Sequence, residues 1–211
     1  MGKLSQVGRK EKRLAGRVSL AFAAGMFSVV PTAHGMPTLD NVETGDVKIN
    51  SAAPVNGATL ANGASITSET KNNVVNWKDF SIAKNESLGF DDKNYMNIVT
   101  GRATSAIDGK LTGGGDIYLI NPNGVIFGAS AQVNVGNLYV STREATDAMK
   151  NAFKGEQMAT ANVSDVLTTL NTSLTADVVN LIDKNGYVQA DTVVMEGRNI
   201  RFLRLFTRKC G

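Results

Sequence analysis

Histidine and cysteine, the two side chains most versatile in catalysis and metal binding, occur once each: His34 near the start of the chain and Cys210 beside its end. A Ser-His-Asp or Cys-His arrangement, or a zinc site, needs imidazole or thiolate in the body of the protein. Chemistry there would fall to carboxylates, the groups with which glycosidases work in pairs. The acidic candidates are Asp91, Asp92 and Asp108. Each lies beside turn-forming residues, where solvated loop carboxylates normally sit. We therefore expect no catalytic residues, no cofactor and no metal, and rank a polysaccharide-active enzyme last among the readings.

The residues that do combine distinctive types at fixed spacing are Asn121, Pro122, Asn123 and Gly124, and their chemistry is hydrogen bonding. Asn at the first position, Pro at the second and Gly at the fourth is the composition of a type I turn. Pro122 presets its own φ, while Asn121 and Asn123 can bond nearby backbone. The elements that must hold this turn are strands. Ile117 and Leu119 alternate before it, Val125 and Phe127 after it, and a further alternating run extends from Val133 to Val140. Period-two alternation marks strands with one buried face. Trp77, Phe80 and Phe127 read as core residues rather than ligand-stacking ones.

Charge divides the 211 residues into unlike regions. Residues 1–35 carry Lys3, Arg9, Lys10, Lys12, Arg13 and Arg17 against Glu11. An apolar run from Val18 to Val30 follows, then Ala33-His34-Gly35, with small residues at the two positions a signal peptidase reads. This is a signal peptide with an extended basic front, cleaved after Gly35 or Ala33. Its apolar run is shorter than the roughly 20 residues a spanning helix needs. From Met36 to Gly197 there are 11 basic and 18 acidic residues, so the body has the wrong sign for a nucleic-acid partner. A lone cysteine excludes an internal disulfide, which suits both a repetitive β fold and a chain that crosses a second membrane unfolded.

Short strands and turns recur through Val42–Ile66, Asn72–Asp91 and Asn94–Leu111, with turns at intervals of about 8 to 12 residues. An antiparallel sandwich and a parallel β-helix both suit that grammar, and the Asn-rich turns favour the helix, where stacked coils align Asn side chains into ladders. Between Arg143 and Lys184 the pattern changes. Ala145, Ala148, Met149, Ala152 and Phe153 fall at helical spacing, as do Val163, Val166, Leu167, Leu170, Leu174, Val178 and Leu181. One or two amphipathic helices packed on the side of the β body are expected, since their polar faces carry too little Lys and Arg for a membrane surface. Strand grammar returns over 186–200. The basic stretch 201–211 lacks turn punctuation and reads as an atypical, truncated end.

Three ordered blocks, NVVNWKDFSIAKNESLGF (73–90), NIVTGRATSAIDGKL (97–111) and DIYLINPNGVIFGASAQVNVGNLYVST (116–142), resemble the N-terminal secretion domain of filamentous-hemagglutinin-like exoproteins. This domain, also called the hemagglutination-activity domain, belongs to the secreted partners of two-partner secretion in Gram-negative bacteria. The resemblance implies an all-β fold, a right-handed parallel β-helix with an N-terminal cap spanning 36–200, here with a lateral helical insertion over 143–184. That insertion is larger than the resemblance leads one to expect. It also implies export by the Sec machinery, then recognition in the periplasm by the periplasmic modules of a dedicated outer-membrane transporter, and a secreted or cell-surface product of adhesin or hemagglutinin type. Asn121, Pro122, Asn123 and Gly124, the hallmark turn, are the expected recognition motif. The rival reading is a self-sufficient adhesin that binds glycans or matrix on the host cell surface.

Overall fold

The alternating segments form strands that return to the same place every 21 or 22 residues. The computed structural model describes residues 35–155, 178–181, 187–197 and 199–202. The strands β1 (Thr38–Thr44), β2 (Val47–Ile49) and β3 (Ala64–Ser68) open the domain. A first coil contains β4 (Asn72–Asp79) and β5 (Ser87–Phe90). The second contains β6 (Asn94–Val99), β7 (Ser105–Ile107) and β8 (Lys110–Thr112). The third repeats it with β9 (Asp116–Ile120), β10 (Val125–Phe127) and β11 (Gln132–Asn134). In the fourth, β12 (Asn137–Ser141) is followed by helix α1 (Asp147–Lys154), then β13 (Val178–Leu181) and β14 (Tyr187–Gln189). A last turn holds β15 (Thr192–Glu196) and β16 (Asn199–Phe202).

Stacking these coils produces three sheets: β1-β4-β6-β9-β12-β15, β7-β10-β13-β16 and β2-β3-β5-β8-β11-β14. Every strand pair along the stack is parallel, and the connections make it a right-handed parallel β-helix. Only β1 on β4 and β2 on β3 run antiparallel, which closes the amino-terminal end as a cap. A parallel stack left open there would present unpaired edges. Met36, Leu39 and Leu60 fill the core beneath the cap.

Alternation divides each strand of the first sheet between two cores. Inward, Val75, Trp77, Tyr95, Val99, Ile117, Leu119, Leu138 and Val140 join the interior. Trp77, Phe80 and Phe127 are fully buried there, and Trp77 meets Phe80 edge to face at 5.4 Å. Outward, Val74, Met96, Ile98, Tyr118, Ile120 and Tyr139 form a second cluster with Met149 and Phe153 of α1. The helix spacing of Met149 and Phe153 places both on the face that covers the sheet. Thr146 caps the helix by accepting from the Met149 amide at 3.2 Å. A sheet covered on both sides reads as a nearly continuous apolar run, as YMNIV and IYLI do.

The step from Asn137 to Thr192 is 55 residues instead of 21 or 22, and all but one residue of the excess lies between β12 and β13. The lateral insertion is thus present, but its expected extent needs correction. Val178 and Leu181 belong to strand β13, paired in parallel with β10, and not to a helix. Their spacing fits either structure, and the register of the coil below selects the strand. Likewise Arg201 and Phe202, expected in the atypical end, lie in β16. The signal peptide (1–35, apart from Gly35), a second helix between 156 and 177, and the rest of 201–211 lie outside the described residues.

Candidate functional site

The hallmark turn forms one corner of the third coil, between β9 and β10. The Gly124 amide donates to the Asn121 carbonyl at 3.0 Å, closing the four-residue turn, and Gly124 has φ +105°. An L side chain rarely tolerates that backbone, which explains glycine at this position. Asn121 Oδ1 accepts from the Asn123 amide at 2.9 Å, an Asx turn inside the β-turn.

The corner is also bonded to its neighbours above and below. Asn121 is fully buried, and its Nδ2 donates to the Ala103 carbonyl at 3.0 Å and to Ser105 Oγ at 2.9 Å, both in the second coil. Its main-chain amide donates to the Ser141 carbonyl of the fourth coil at 2.9 Å. Asn123 is exposed, yet its Nδ2 donates to the Gly101 carbonyl at 2.8 Å and to Asn121 Oδ1 at 3.1 Å. Thr104 Oγ1 donates back to the Asn123 carbonyl at 2.9 Å. Pro122 is half-buried. The four predicted residues therefore divide by role: Asn121 and Gly124 face the stack, while Pro122 and Asn123 form the outer surface of the corner. In the fourth coil the same corner opens into the insertion, so the turn lies directly beneath the root of the segment that carries α1.

The three candidate carboxylates are not brought together. Asp91 and Asp92 sit at the corner between β5 and β6, Asp108 at a different corner between β7 and β8. Asp91 accepts from the Ser68 amide at 2.8 Å, the Lys93 amide at 3.0 Å and the Tyr95 hydroxyl at 2.8 Å. Burial, and then that bond to Asp91, hold the Tyr95 hydroxyl well above the usual phenol range, so it stays a donor. Asp92 is exposed and pairs with Lys93 at 2.5 Å. Asp91 thus fastens its corner to β3, Asp92 pairs with its sequence neighbour, and the three carboxylates form no acid–base pair. Among the described residues there is no group of three His, Cys, Asp or Glu side chains placed to hold a metal ion, and no helix long and apolar enough to cross a membrane.

Two arrangements had no residues assigned to them from the sequence, the first being the Asn ladder expected of stacked coils. Asn72, Asn94, Asp116 and Asn137 occupy equivalent positions in successive coils and form a ladder. Asn94 Nδ2 donates to Asn72 Oδ1 at 2.9 Å, Asn94 Oδ1 accepts from the Asp116 amide at 3.1 Å, and Asn137 Nδ2 donates to Asp116 Oδ1 at 2.6 Å. Their spacing is the coil period and is the signal that would have found them. The second is a clamp across the fold. Glu43 of cap strand β1 accepts from Lys150 at 3.2 Å and Lys154 at 3.1 Å, both on α1, and from Asn76 at 3.2 Å.

Comparison with known proteins agrees with this architecture. The crystal structure of the HMW1 secretion domain from Haemophilus influenzae superposes with a TM-score of 0.54, covering 77% of this chain and 40% of that one at 20% identity. That likeness is one of fold. Two Heme/hemopexin-binding proteins of Haemophilus influenzae are similar in sequence. One is 32% identical over 117 residues, covering 54% of this chain and 12% of the relative. The other is 36% identical over 83 residues, 37% of this chain and 9% of the relative. This chain thus spans a small fraction of either relative. The family model of the TPS secretion domain matches residues 41–202, and the chain belongs to that family.

Proposed function

We propose that the domain is a non-catalytic address label, read in the periplasm by the periplasmic modules of a dedicated outer-membrane transporter that exports the chain to the cell surface or medium. Residues 1–35 act as the Sec signal peptide. The observation that carries the reading is the family match over 41–202. The corner supports the finer assignment, because Pro122 and Asn123 are the part of the hallmark turn left facing outward. Main-chain groups of an incompletely folded chain would supply affinity by pairing with a sheet edge of the transporter, with the corner setting register. Folding outside, coil on coil, then favours outward movement, since each coil buries apolar surface at about 25 cal/mol per Å².

An adhesin-type passenger is the companion proposal. The relatives' printed names concern heme and hemopexin. Here the described residues include no histidine, Met36, Met96 and Met149 are buried, and half-buried Met195 packs against the core, so we read the shared segment as the export module and not as a heme site. The test is export of a reporter fused after residue 202, in a Gram-negative host with and without the partner transporter. Export should require both the transporter and residues 36–202. Transporter-independent export would refute the secretion role. Equal export of a correctly folded Asn123→Ala variant would remove the corner from recognition while leaving the domain's role intact.

A further inference from the structure

The hallmark turn contains an Asn-Gly bond, and three such bonds lie among the described residues: Asn56-Gly57, Asn62-Gly63 and Asn123-Gly124. Asn-Gly is the dipeptide most open to spontaneous deamidation, since glycine offers no side chain to hinder the attack. The Gly124 nitrogen, losing its proton, attacks Asn123 Cγ. A new C–N bond closes a five-membered imide, the Cγ–Nδ2 bond breaks, and ammonia leaves. Water then opens the ring at either carbonyl, leaving aspartate or isoaspartate at position 123.

We propose that Asn123 is a deamidation site protected by folding, so that the time this chain survives unfolded is limited by the chemistry of its own hallmark turn. In the folded domain both reacting groups are held. The Gly124 amide is bonded to the Asn121 carbonyl at 3.0 Å, and Asn123 Nδ2 is bonded to the Gly101 carbonyl and Asn121 Oδ1. An unfolded chain has neither restraint. Asn62 shows why position 123 is the consequential one. Asn62 uses only its acceptor, Oδ1 receiving the Ser87 amide at 2.9 Å, which an aspartate reproduces. Asn123 uses its donor, toward two oxygens. A carboxylate there faces the Gly101 carbonyl and Asn121 Oδ1 with no hydrogen to offer either. Deamidation to aspartate at 62 leaves that acceptor in place, whereas at 123 it removes the side-chain bond to the Gly101 carbonyl of the coil below.

This inference extends to a chain exported unfolded, but it does not require the corner to touch the transporter. The experiment incubates the full chain at pH 8, folded in buffer and unfolded in urea, and follows Asn56, Asn62 and Asn123 by peptide mass spectrometry. Deamidation at Asn123 is expected to be at least about 100-fold slower in the folded protein, because the turn must open locally first. Equal rates in the two states overturn the proposal. In a second arm, Asn62→Asp and Asn123→Asp are refolded and the Gly124 amide is followed by hydrogen exchange. The first should match the parent, and the second should refold but exchange several-fold faster at Gly124. Parent-like protection in Asn123→Asp overturns the claim that the product weakens the corner.

Discussion

Replacing Asn121 by alanine isolates what the corner contributes to the fold. The substitution removes two bonds into the second coil, to the Ala103 carbonyl and to Ser105 Oγ, and the Oδ1 acceptor that holds Asn123. Each of the first two contributes about 1 kcal/mol net. Ser105 is fully buried, so its hydroxyl also loses a partner that water cannot replace, a further penalty of about 1 kcal/mol or more. Asn123 is exposed and its amide can turn to water, so that loss counts little. The expected cost is about 3 kcal/mol, a large share of the 5–15 kcal/mol by which domains are stable. With an m-value of about 2 kcal/mol per M, the urea midpoint should fall by about 1.5 M. Urea unfolding followed by tryptophan fluorescence reads this well, because Trp77 is the only tryptophan and is fully buried. Asn123→Ala should cost about 1 kcal/mol or less, since the groups it releases are near solvent. Asn121→Asp should be at least as damaging as alanine at pH 7, with a carboxylate aimed at the Ala103 carbonyl. Part of that loss should return at acid pH, where the protonated group can again donate. A midpoint shift under 0.5 M for Asn121→Ala, or equal losses at 121 and 123, would refute the division of roles within the turn.

Three further outcomes follow from the geometry. Burial alone would raise the Glu43 pKa, but hydrogen bonds from Lys154, Asn76 and Lys150 outweigh it and hold the carboxyl below its usual value. The stability it contributes is therefore complete above the unfolded pKa and is lost as pH falls through the folded one. Glu43→Gln should remove that acid-side dependence at a cost of about 1 kcal/mol or less at pH 7, measured by urea unfolding from pH 3 to 7. Gly101→Ala should cost about 1–3 kcal/mol in the same assay, because a Cβ there collides with the Lys78 carbonyl of the coil beneath. Phe153→Ala should cost about 3 kcal/mol by leaving Tyr118, whose ring it meets at 5.0 Å, without its cover, and increased binding of a hydrophobic dye would report the exposed sheet.

What the sequence made legible and what it hid differ by range. The turn at Asn121–Gly124 is a local object. Its residues dictate a backbone that needs no distant partner, and the structure builds it as read. Alternation likewise located the strands around Leu119, Phe127 and Val133, because each must bury one face whatever lies beside it. The coil period was hidden for the opposite reason. An inward position of a β-helix demands only an apolar side chain of fitting size, so Tyr95, Ile117 and Leu138 can occupy neighbouring rungs without resembling one another. Where hydrogen bonding between coils fixes the residue type, the period does show, as in Asn72, Asn94, Asp116 and Asn137. Val178 and Leu181 were assigned to a helix because a four-residue segment, apolar here but for Asn180, cannot choose between periods. Its partner β10 chooses, from 54 residues away in register. The same holds for Glu43, whose meeting with Lys150 and Lys154 spans 107 and 111 residues. A corner turn is legible because its chemistry is its own. The insertion above it, and the clamp that fastens that insertion to the cap, exist only once the coils have stacked. Their contribution to stability therefore belongs to the completed fold, while the turn's shape is encoded by its own four residues.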